Sequence, residues 1–313
     1  MILLILALIP VIALLVFIYL RDKKEKEPIG LLIGLFFAGM ATSITAIIGE
    51  VVGSVVLGLT ISDFPVIQSI LLAMFVVGPA EEMGKYLVLW LITWKNKHFD
   101  HSYDAIVYAV FVSLGFAALE NVGYVFTNGI GTAFLRMFTS VPGHACFGVF
   151  MGYFYSKAKY AKLTKKGSFG WNITLSMLVP ILLHGVFDAI IFAGRASGDE
   201  IVNGLSGAVW LGYVIALIVC TFILVLHASK NDFCIITLPD NVQTVFKPKI
   251  MGDWTCSCGA VNQFSFCPQC GKQRPVDNTW NCPSCGTLCT FKFCGHCGFP
   301  KPMGVTPPSP TVS

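Results

Sequence analysis

The sequence has 313 residues, of which 55% are hydrophobic and only 12% are charged. Soluble domains carry about twice that share of charge, and the mean hydropathy of +0.73 points the same way. Composition therefore excludes a soluble enzyme, a disordered protein and a nucleic-acid binder driven by bulk charge. The net charge of +4 is uninformative until the charges are placed, and nine of the 12 cysteines lie between Cys256 and Cys297. The chain thus has an apolar part and a cysteine-rich tail.

Seven apolar segments follow one another up to residue 227, and each reaches the ~20 residues that a helix needs to cross a bilayer. They cover 1–20, 29–59, 66–93, 104–126, 134–156, 172–193 and 206–227. The first segment has no basic start and no small-residue cleavage site, so we interpret it as a retained helix rather than a signal peptide. Residues 1–227 are therefore predicted to form an all-α polytopic membrane helix bundle.

The loops between these segments alternate in charge. Loops 21–28, 94–103 and 157–170 together carry 11 lysines and arginines, whereas loops 60–65, 127–133 and 194–205 carry only Arg195. Positively charged loops stay in the cytoplasm. The sequence therefore predicts a multi-pass cell-membrane protein with its N-terminus outside and its C-terminal tail in the cytoplasm.

The tail begins with a polar connector, 228–253, that contains a candidate strand at 233–238, and a repeated cysteine pattern follows. The pattern resembles paired zinc ribbons at 254–275 and 280–302, each with four thiolates around a structural Zn²⁺. The predicted ligands are Cys256, Cys258, Cys267 and Cys270 in the first ribbon and Cys282, Cys285, Cys294 and Cys297 in the second. The glycines after Cys258 and Cys285 suit turns with positive φ.

The zinc ribbons are expected to depend on their metal. A unit of about 20 residues cannot bury enough core to fold alone, so the metal would supply most of its stability. Disulfide bonding is the alternative, which the reducing cytoplasm disfavours. Such ribbons usually bind a protein or nucleic acid, and the sequence does not distinguish the two partners. Residues 303–313 are rich in Pro, Ser and Thr and are predicted to be disordered.

Charged residues inside membrane segments are rare and expensive, so each is a functional candidate. The third segment contains Glu81, Glu82 and Lys85 after Gly78-Pro79. Glu81 and Lys85 are four residues apart, which favours an ion pair, whereas Glu82 is expected to have no comparable partner. The Gly-Pro pair frees backbone groups and is expected to start a helix at this level, beside a helix break. A carboxylate held beside another in a low dielectric suits a general base, although a simple packing ion pair is the alternative.

Three further segments carry ionisable or amide side chains at overlapping depths. Glu120 and Asn121 lie in the fourth segment, His144 in the fifth, and His184 with Asp188 in the sixth. His184 and Asp188 are four apart, so the carboxylate can hold one ring nitrogen while the other faces a reactant. At ~1.5 Å per residue, these groups lie at levels that allow one shared site. A single intramembrane histidine could also simply bridge two helices.

Taken together, these motifs resemble the PrsW family of intramembrane proteases, which is related to the type II CAAX prenyl endopeptidases and the glutamate intramembrane proteases. The resemblance is carried by Glu27-Pro28, the EExxK motif at Glu81, Tyr103-Asp104, the run from Gly115 to Asn121, Pro142-Gly143-His144 and His184-x-x-x-Asp188. It implies an endopeptidase that cleaves membrane-anchored proteins in the bilayer, with regulated proteolysis of an anti-sigma factor as a role in some bacteria. The zinc ribbons are an addition to that core.

Two kinds of chemistry fit the expected site, in which Glu81, Glu82, Glu120 and His184 would be catalytic and Lys85, Asn121, His144 and Asp188 supporting. An active-site metal would use Glu120, His144 and His184 as ligands, with a glutamate of the third segment as base. A metal-free site would use Glu81 or Glu82 to activate water while His184 stabilises the oxyanion or carries protons. We favour the metal-free interpretation, because nearby carboxylates suffice for acid–base work.

Two rival functions follow from the same residues. An ion- or proton-coupled transporter also needs buried ionisable groups near the midplane, but the segments show no repeat of the motif set between halves. A non-catalytic scaffold that presents zinc ribbons explains the tail and leaves the buried charges unexplained. A protease is the interpretation that accounts for the intramembrane residues.

Overall fold

A computed structural model describes residues 2–235, 254–256, 258–262, 269, 280–286, 288–289, 296–297 and 300. The chain divides into two compact units, Met1–Thr237 and Leu238–Ser313. The described part of the first unit is a helix bundle, and the described part of the second contains two short antiparallel strand pairs.

The bundle has nine α-helices and one π-helical turn in the described part of the unit. They are α1 (Ile2–Arg21), α2 (Ile29–Thr60), α3 (Pro65–Leu72), the π turn (Ala73–Val77), α4 (Gly78–Thr93), α5 (Asp104–Asn128), α6 (Ile130–Phe138), α7 (Ser140–Thr164), α8 (Phe169–Ala196) and α9 (Glu200–Lys230). α3, the π turn and α4 follow one another without a gap. The all-α prediction for this part of the chain is confirmed.

Two helices begin earlier than their apolar segments because polar residues cap them. The Ser168 hydroxyl accepts a hydrogen bond from the backbone N–H of Trp171, and the Asp199 carboxylate accepts from Ile201 and Val202. An N-cap satisfies donors that the first turn leaves free, so α8 and α9 start at 169 and 200 rather than 172 and 206. α9 also continues to Lys230, so the connector predicted from 228 begins later.

Six described helices are long and apolar enough to cross a membrane, with α3, the π turn and α4 counted as one. α7 has 25 residues and sits among its neighbours, with more than half of its residues buried. A helix packed on most sides by protein does not need an apolar exterior. We assign α7 as the seventh crossing, and the short α6 precedes it where the sequence predicted one continuous segment at 134–156.

α5 lies at the centre of the bundle, with 16 of its 25 residues buried. Glycines let its neighbours approach closely. A Cβ at Gly39 of α2 would collide with the carbonyl of Val112, and a Cβ at Gly152 of α7 would lie 2.6 Å from the Cα of Ile106. Small residues at helix crossings are the usual basis of packing in membranes. α5 is therefore held between α2 and α7.

The residues that follow α9 pack back onto the segment before α5. The carboxylate of Asp232 accepts hydrogen bonds from the Ser102 hydroxyl and the Tyr103 N–H. Cys234 forms an isolated antiparallel bridge with His101. The strand predicted at 233–238 is thus a single bridge as far as residue 235, and its remainder lies outside the described residues.

The tail unit contains β1 (Trp254–Thr255) paired with β2 (Val261–Asn262), and β3 (Trp280–Asn281) paired with β4 (Leu288–Cys289). The turns carry glycines with positive φ, +90° at Gly259 and +70° at Gly286. The Gly259 N–H donates to the Cys256 carbonyl, and the Gly286 N–H donates to the Cys282 carbonyl, each at 2.8 Å. The predicted tail at 303–313 lies outside the described residues.

Candidate active site

The third crossing carries Glu81 and Glu82 into the bundle without the helix break that Gly78-Pro79 predicted. The backbone passes through the π turn and remains helical across Gly78. π turns inside helices are frequent at functional sites. Gly78 serves packing instead, because a Cβ there would lie 2.9 Å from the carbonyl oxygen of Ile181 on α8. The helix start expected at Gly78-Pro79 is confirmed, because α4 begins at Gly78, but the expected break is replaced by the π turn and a close helix contact.

The ammonium of Lys85 lies at the centre of a buried polar cluster. Its Nζ is 2.7 Å from Oε1 of Glu82, 3.0 Å from Oε2 of Glu81 and 3.3 Å from Nδ1 of His144. The same Nζ lies 3.9 Å from the centroid of the Phe116 ring, and the Lys85 side chain is fully buried. The expectation that Glu82 has no partner was wrong, because positions three apart share a helix face as well as positions four apart.

His144 links this cluster to α5. An ammonium can only donate, so Nδ1 of His144 accepts and the ring proton is on Nε2. Nε2 donates to Oε2 of Glu120 at 2.7 Å. The Ser113 hydroxyl donates to the His144 carbonyl at 2.6 Å and attaches the start of α7 to α5. His144 therefore connects the lysine and the Glu120 carboxylate directly.

His184 of α8 lies between three carboxylates. Its Nδ1 is 2.8 Å from Oε1 of Glu82 and 3.8 Å from Oε2 of Glu81, and its Nε2 is 3.3 Å from Oδ2 of Asp188. Phe147 stacks on the imidazole with 4.7 Å between ring centroids. Glu120 thus holds Nε2 of His144, whose Nδ1 faces Lys85. Asp188 holds Nε2 of His184, whose Nδ1 faces the Glu81–Glu82 pair. A carboxylate that fixes a histidine in this way is a common device in catalytic and metal sites.

A cavity of about 870 Å³ opens beside the cluster. Its walls include Glu81 but not Glu82 or Lys85, which lie behind it. The other ionisable side chains in its walls are Glu50, Glu120, Arg136, His144, His184, Asp188 and Arg195. The cavity is large enough for a polypeptide segment and for water, and of the two adjacent glutamates it exposes Glu81.

Asn121 differs from its expected role, and Arg136 takes part in the site without having been expected there. Asn121 does not contact the Lys85 cluster; its Nδ2 donates to the carbonyl of Ala7 on α1, and its Oδ1 accepts from Nε of Arg136. Arg136 was missed by the sequence analysis, although a charge inside an apolar segment was signal enough. Its guanidinium lies 3.0 Å from Oε2 of Glu120. Arg136 and His144 therefore hold the same carboxylate from two sides.

Four N and O donors of the cluster fit a metal ion in their chemistry. One ligand atom each from Glu81, Glu82, His144 and His184 lies within 4.8 Å of the others. Mixed imidazole and carboxylate donors suit Zn²⁺ and similar ions. Oε2 of Glu82 is buried without a hydrogen-bond partner. The site also has four carboxylates but two permanent cations; the carboxylates are Glu81, Glu82, Glu120 and Asp188, and the cations are Lys85 and Arg136. The ammonium of Lys85 contacts three of these four donors, so it competes with a metal for them.

The expected metal ligand set shares His144 and His184 with this group, but the group has Glu81 and Glu82 where Glu120 was expected. Glu120 was expected as a ligand with His144 and His184. It lies behind His144, on the far ring nitrogen, and is not part of the group of four. The reason is the side-chain direction on α5, which no spacing in the sequence specifies.

The tail holds a second group of metal-ligand type. Sulfur atoms of Cys282, Cys285 and Cys297 lie within 4.8 Å of one another, with 3.5 Å between Cys282 and Cys297. Cys294, the fourth predicted ligand, lies outside the described residues, as do Cys267 and Cys270 of the first ribbon. Cys256 is buried and Cys258 is exposed.

A bundle of membrane-crossing helices with a buried carboxylate–imidazole site beside a cavity is the arrangement of a polytopic membrane hydrolase. The family model described as PrsW family intramembrane metalloprotease matches residues 27–226. The chain belongs to the PrsW family and is an intramembrane protease. It is similar to the Protease PrsW of Oceanobacillus iheyensis, with 39% identity over 202 residues, 64% of this chain and 88% of that protein.

Other relatives agree with this assignment. The Protease PrsW of Bacillus subtilis is 35% identical over 190 residues, 59% of this chain and 80% of the relative. That of Clostridioides difficile is 35% identical over 192 residues, 59% of this chain and 77% of the relative. No solved structure matches the chain significantly. The transporter and scaffold interpretations find no support, and the predicted protease function is confirmed.

Proposed function

We propose that Glu81 of this protease activates the attacking water and that His184 stabilises the oxyanion. The observation that supports the proposal is that the two adjacent glutamates have different surroundings. Glu81 lines the cavity, whereas Glu82 is fully buried and bound by Lys85 and His184. A general base must reach the water that it deprotonates, and only Glu81 of the pair meets the cavity.

The chain's own residues suffice for the proton transfers. Glu81 takes a proton from water as the oxygen attacks the peptide carbonyl, and the Nε2–H of His184 shifts from Asp188, 3.3 Å away, to the oxyanion. Glu81 then gives the proton to the amide nitrogen as the C–N bond breaks, which yields a carboxylic acid and an amine. Glu82 holds Nδ1 of His184, and Lys85 holds both glutamates by ion pairs. Glu120, with Arg136, positions His144.

A metal ion remains compatible with this arrangement. Glu81, Glu82, His144 and His184 would hold it, and it would polarise the substrate carbonyl and its bound water as a Lewis acid. Glu120 and Asp188 would then act as the acids that orient the two imidazoles. The metal-free preference of the sequence analysis therefore stays a prediction, which chelation tests directly.

The substrates are membrane-anchored proteins, and we infer that an anti-sigma-like single-span protein is one of them. The inference rests on the resemblance to the family and on the cavity within the bundle.

The loop charges further support an N-terminus outside and cytoplasmic zinc ribbons. A reporter cysteine in loop 157–170 should then be labelled only in permeabilised cells, and labelling in intact cells would contradict this orientation.

The experiment uses the purified protein in liposomes with quenched single-span peptides. Glu81→Gln and His184→Ala should each lower kcat by about 10²–10⁴, the loss expected for a general acid–base group. Asp63→Asn, an exposed carboxylate in the α2–α3 loop, is the matched control and should cleave like the parent. Equal cleavage by Glu81→Gln and the parent would exclude Glu81 as the base.

The same assay measures the protease activity that remains after treatment with a chelator. Full activity after exhaustive chelation would support the metal-free chemistry. Loss of activity that Zn²⁺ restores, in the parent and equally in a variant with the tail thiolates Cys282 and Cys297 changed to serine, would assign a metal to the intramembrane donors instead.

A further inference from the structure

A second cluster of carboxylates lies where α5 begins. Asp22 and Glu27 come from the loop between α1 and α2, and Asp104 is the first residue of α5. One oxygen of each lies within 4.8 Å of the others. The residues are only 1%, 3% and 1% exposed, respectively. Three buried carboxylates at this spacing repel one another strongly unless a positive charge joins them.

No side-chain cation among the described residues forms an ion pair with these three carboxylates, although the Lys26 charge acts on Asp22 from nearby. Neither oxygen of the Asp22 carboxylate has a hydrogen-bond partner, and Oδ1 of Asp104 has none either. The Lys26 ammonium, in the same loop, donates to the backbone carbonyls of Tyr19 and Asp22. The Lys159 ammonium donates to the carbonyl of Phe99 at 2.8 Å. Both nearby lysines therefore face backbone oxygens rather than these carboxylates.

The remaining oxygens are fixed by donors that keep the cluster in place. The Tyr108 hydroxyl donates to Oε2 of Glu27. The backbone N–H groups of Asp100 and His101 donate to Oδ2 of Asp104, at 3.0 and 2.6 Å. Two of the three carboxylates are thus oriented by their surroundings, while one oxygen of Asp22 lies within 4.8 Å of theirs and neither Asp22 oxygen has a hydrogen-bond partner. This is the arrangement of a preformed ligand set with free lone pairs.

We propose that Asp22, Glu27 and Asp104 bind a hard divalent cation, of which Mg²⁺ is the representative. All three ligands are carboxylate oxygens, which Mg²⁺, Ca²⁺ and Mn²⁺ prefer and which lack the nitrogen or sulfur typical of zinc sites. The site is separate from the protease centre, because Asp104 and Glu120 are sixteen residues apart on α5, about 24 Å along the helix axis. The cation fastens the α1–α2 loop to the helix that carries Glu120.

The test measures binding and stability in the full-length detergent-purified protein with Zn²⁺ kept constant. Millimolar Mg²⁺ should raise the midpoint of thermal unfolding of the parent by at least about 3 °C. Mn²⁺ paramagnetic resonance should report one bound ion that Mg²⁺ displaces. Asp22→Asn should lose this ion or bind it at least about tenfold more weakly. Because the Asp22 carboxylate makes no hydrogen bond, this variant should fold, with a midpoint in cation-free buffer no lower than that of the parent.

Two further variants separate this site from others. Glu25→Gln removes an exposed carboxylate from the same loop that is not part of the buried cluster, and it should respond to Mg²⁺ like the parent. Glu82→Gln should keep the Mn²⁺ ion. Loss of the ion in Glu82→Gln but not in Asp22→Asn would assign it to the intramembrane cluster and overturn the proposal. Absence of any Mg²⁺ shift in the parent, which would mean that shared protons neutralise the three carboxylates, would overturn it as well.

Discussion

Lys85 is the residue on which the site's geometry depends most directly. Its ammonium is fully buried and contacts Glu81, Glu82 and His144. A buried ion pair need not add net stability, but removal of one partner leaves the other charge buried and unpaired. In this protein two carboxylates would be left, which makes the lysine a positioning residue rather than a catalytic one.

Lys85→Met should therefore lower the free energy of unfolding by about 3–5 kcal/mol. Thermal unfolding in detergent measures the loss. The double variant Lys85→Met with Glu82→Gln should recover part of it, because one unpaired carboxylate is removed. Lys157→Ala, at an exposed lysine on α7, is the control and should change stability by less than about 0.5 kcal/mol. A Lys85→Met protein as stable as the parent would show that the ammonium is not needed to hold the two glutamates.

At the scale of elements, the crossing of α5 and α7 sets the position of His144 and Glu120. Gly148 and Gly152 lie four apart on α7 and face Ala109 and Ala105 of α5. This small-xxx-small pattern lets the two backbones come close. The polar residues on the same helices meet because the glycines below them permit the approach.

Gly152→Ala should force the helices apart and lower the free energy of unfolding by about 1–3 kcal/mol, the usual cost of overpacking. Proteolysis should fall with it, since the contact between His144 and Glu120 is displaced. Gly212→Ala is the matched control, because a Cβ there meets nothing within 4 Å. It should be neutral or slightly stabilising, since Ala favours helix over Gly by about 0.5–1 kcal/mol. Equal effects of the two changes would contradict the proposed role of the crossing.

At the scale of the whole molecule, the chain combines a protease bundle with a cysteine-rich unit beyond the residues matched by the family model, 27–226. The bundle contains its own carboxylates and imidazoles, so its chemistry does not need the tail thiolates. We therefore propose that the tail binds two structural Zn²⁺ ions and serves recognition of a protein or nucleic-acid partner, separate from catalysis.

The zinc content of the full-length protein tests the tail directly. The Cys282→Ser, Cys297→Ser double variant should lose one Zn²⁺ per chain relative to the parent, because a tetrahedral site with two thiolates removed no longer holds the ion. Elemental analysis gives the count. Cys220→Ser, at an exposed cysteine of α9, should leave the count unchanged. The double variant should still cleave a membrane-anchored peptide, and an unchanged zinc content would contradict the second ribbon.

The sequence by itself determined the class of fold, six of the crossings and the family. Apolar length and charge content are additive along the chain, so segments, loop charges and repeated cysteine spacings can be read without coordinates. It also identified Glu81, Glu82, His144 and His184, because a charged or titratable side chain in an apolar segment is costly wherever it lies.

The tertiary structure alone decided which of these side chains touch. Sequence reasoning predicted no partner for Glu82, yet Lys85 and His184 both hold it. Asn121 was expected to support the site, although it binds α1 and Arg136. Pairings between helices depend on rotation about each axis and on the crossings that glycines permit, and neither quantity is local in sequence. For the same reason the buried cluster of Asp22, Glu27 and Asp104 joins residues from two distant segments, and only the packed bundle brings them together.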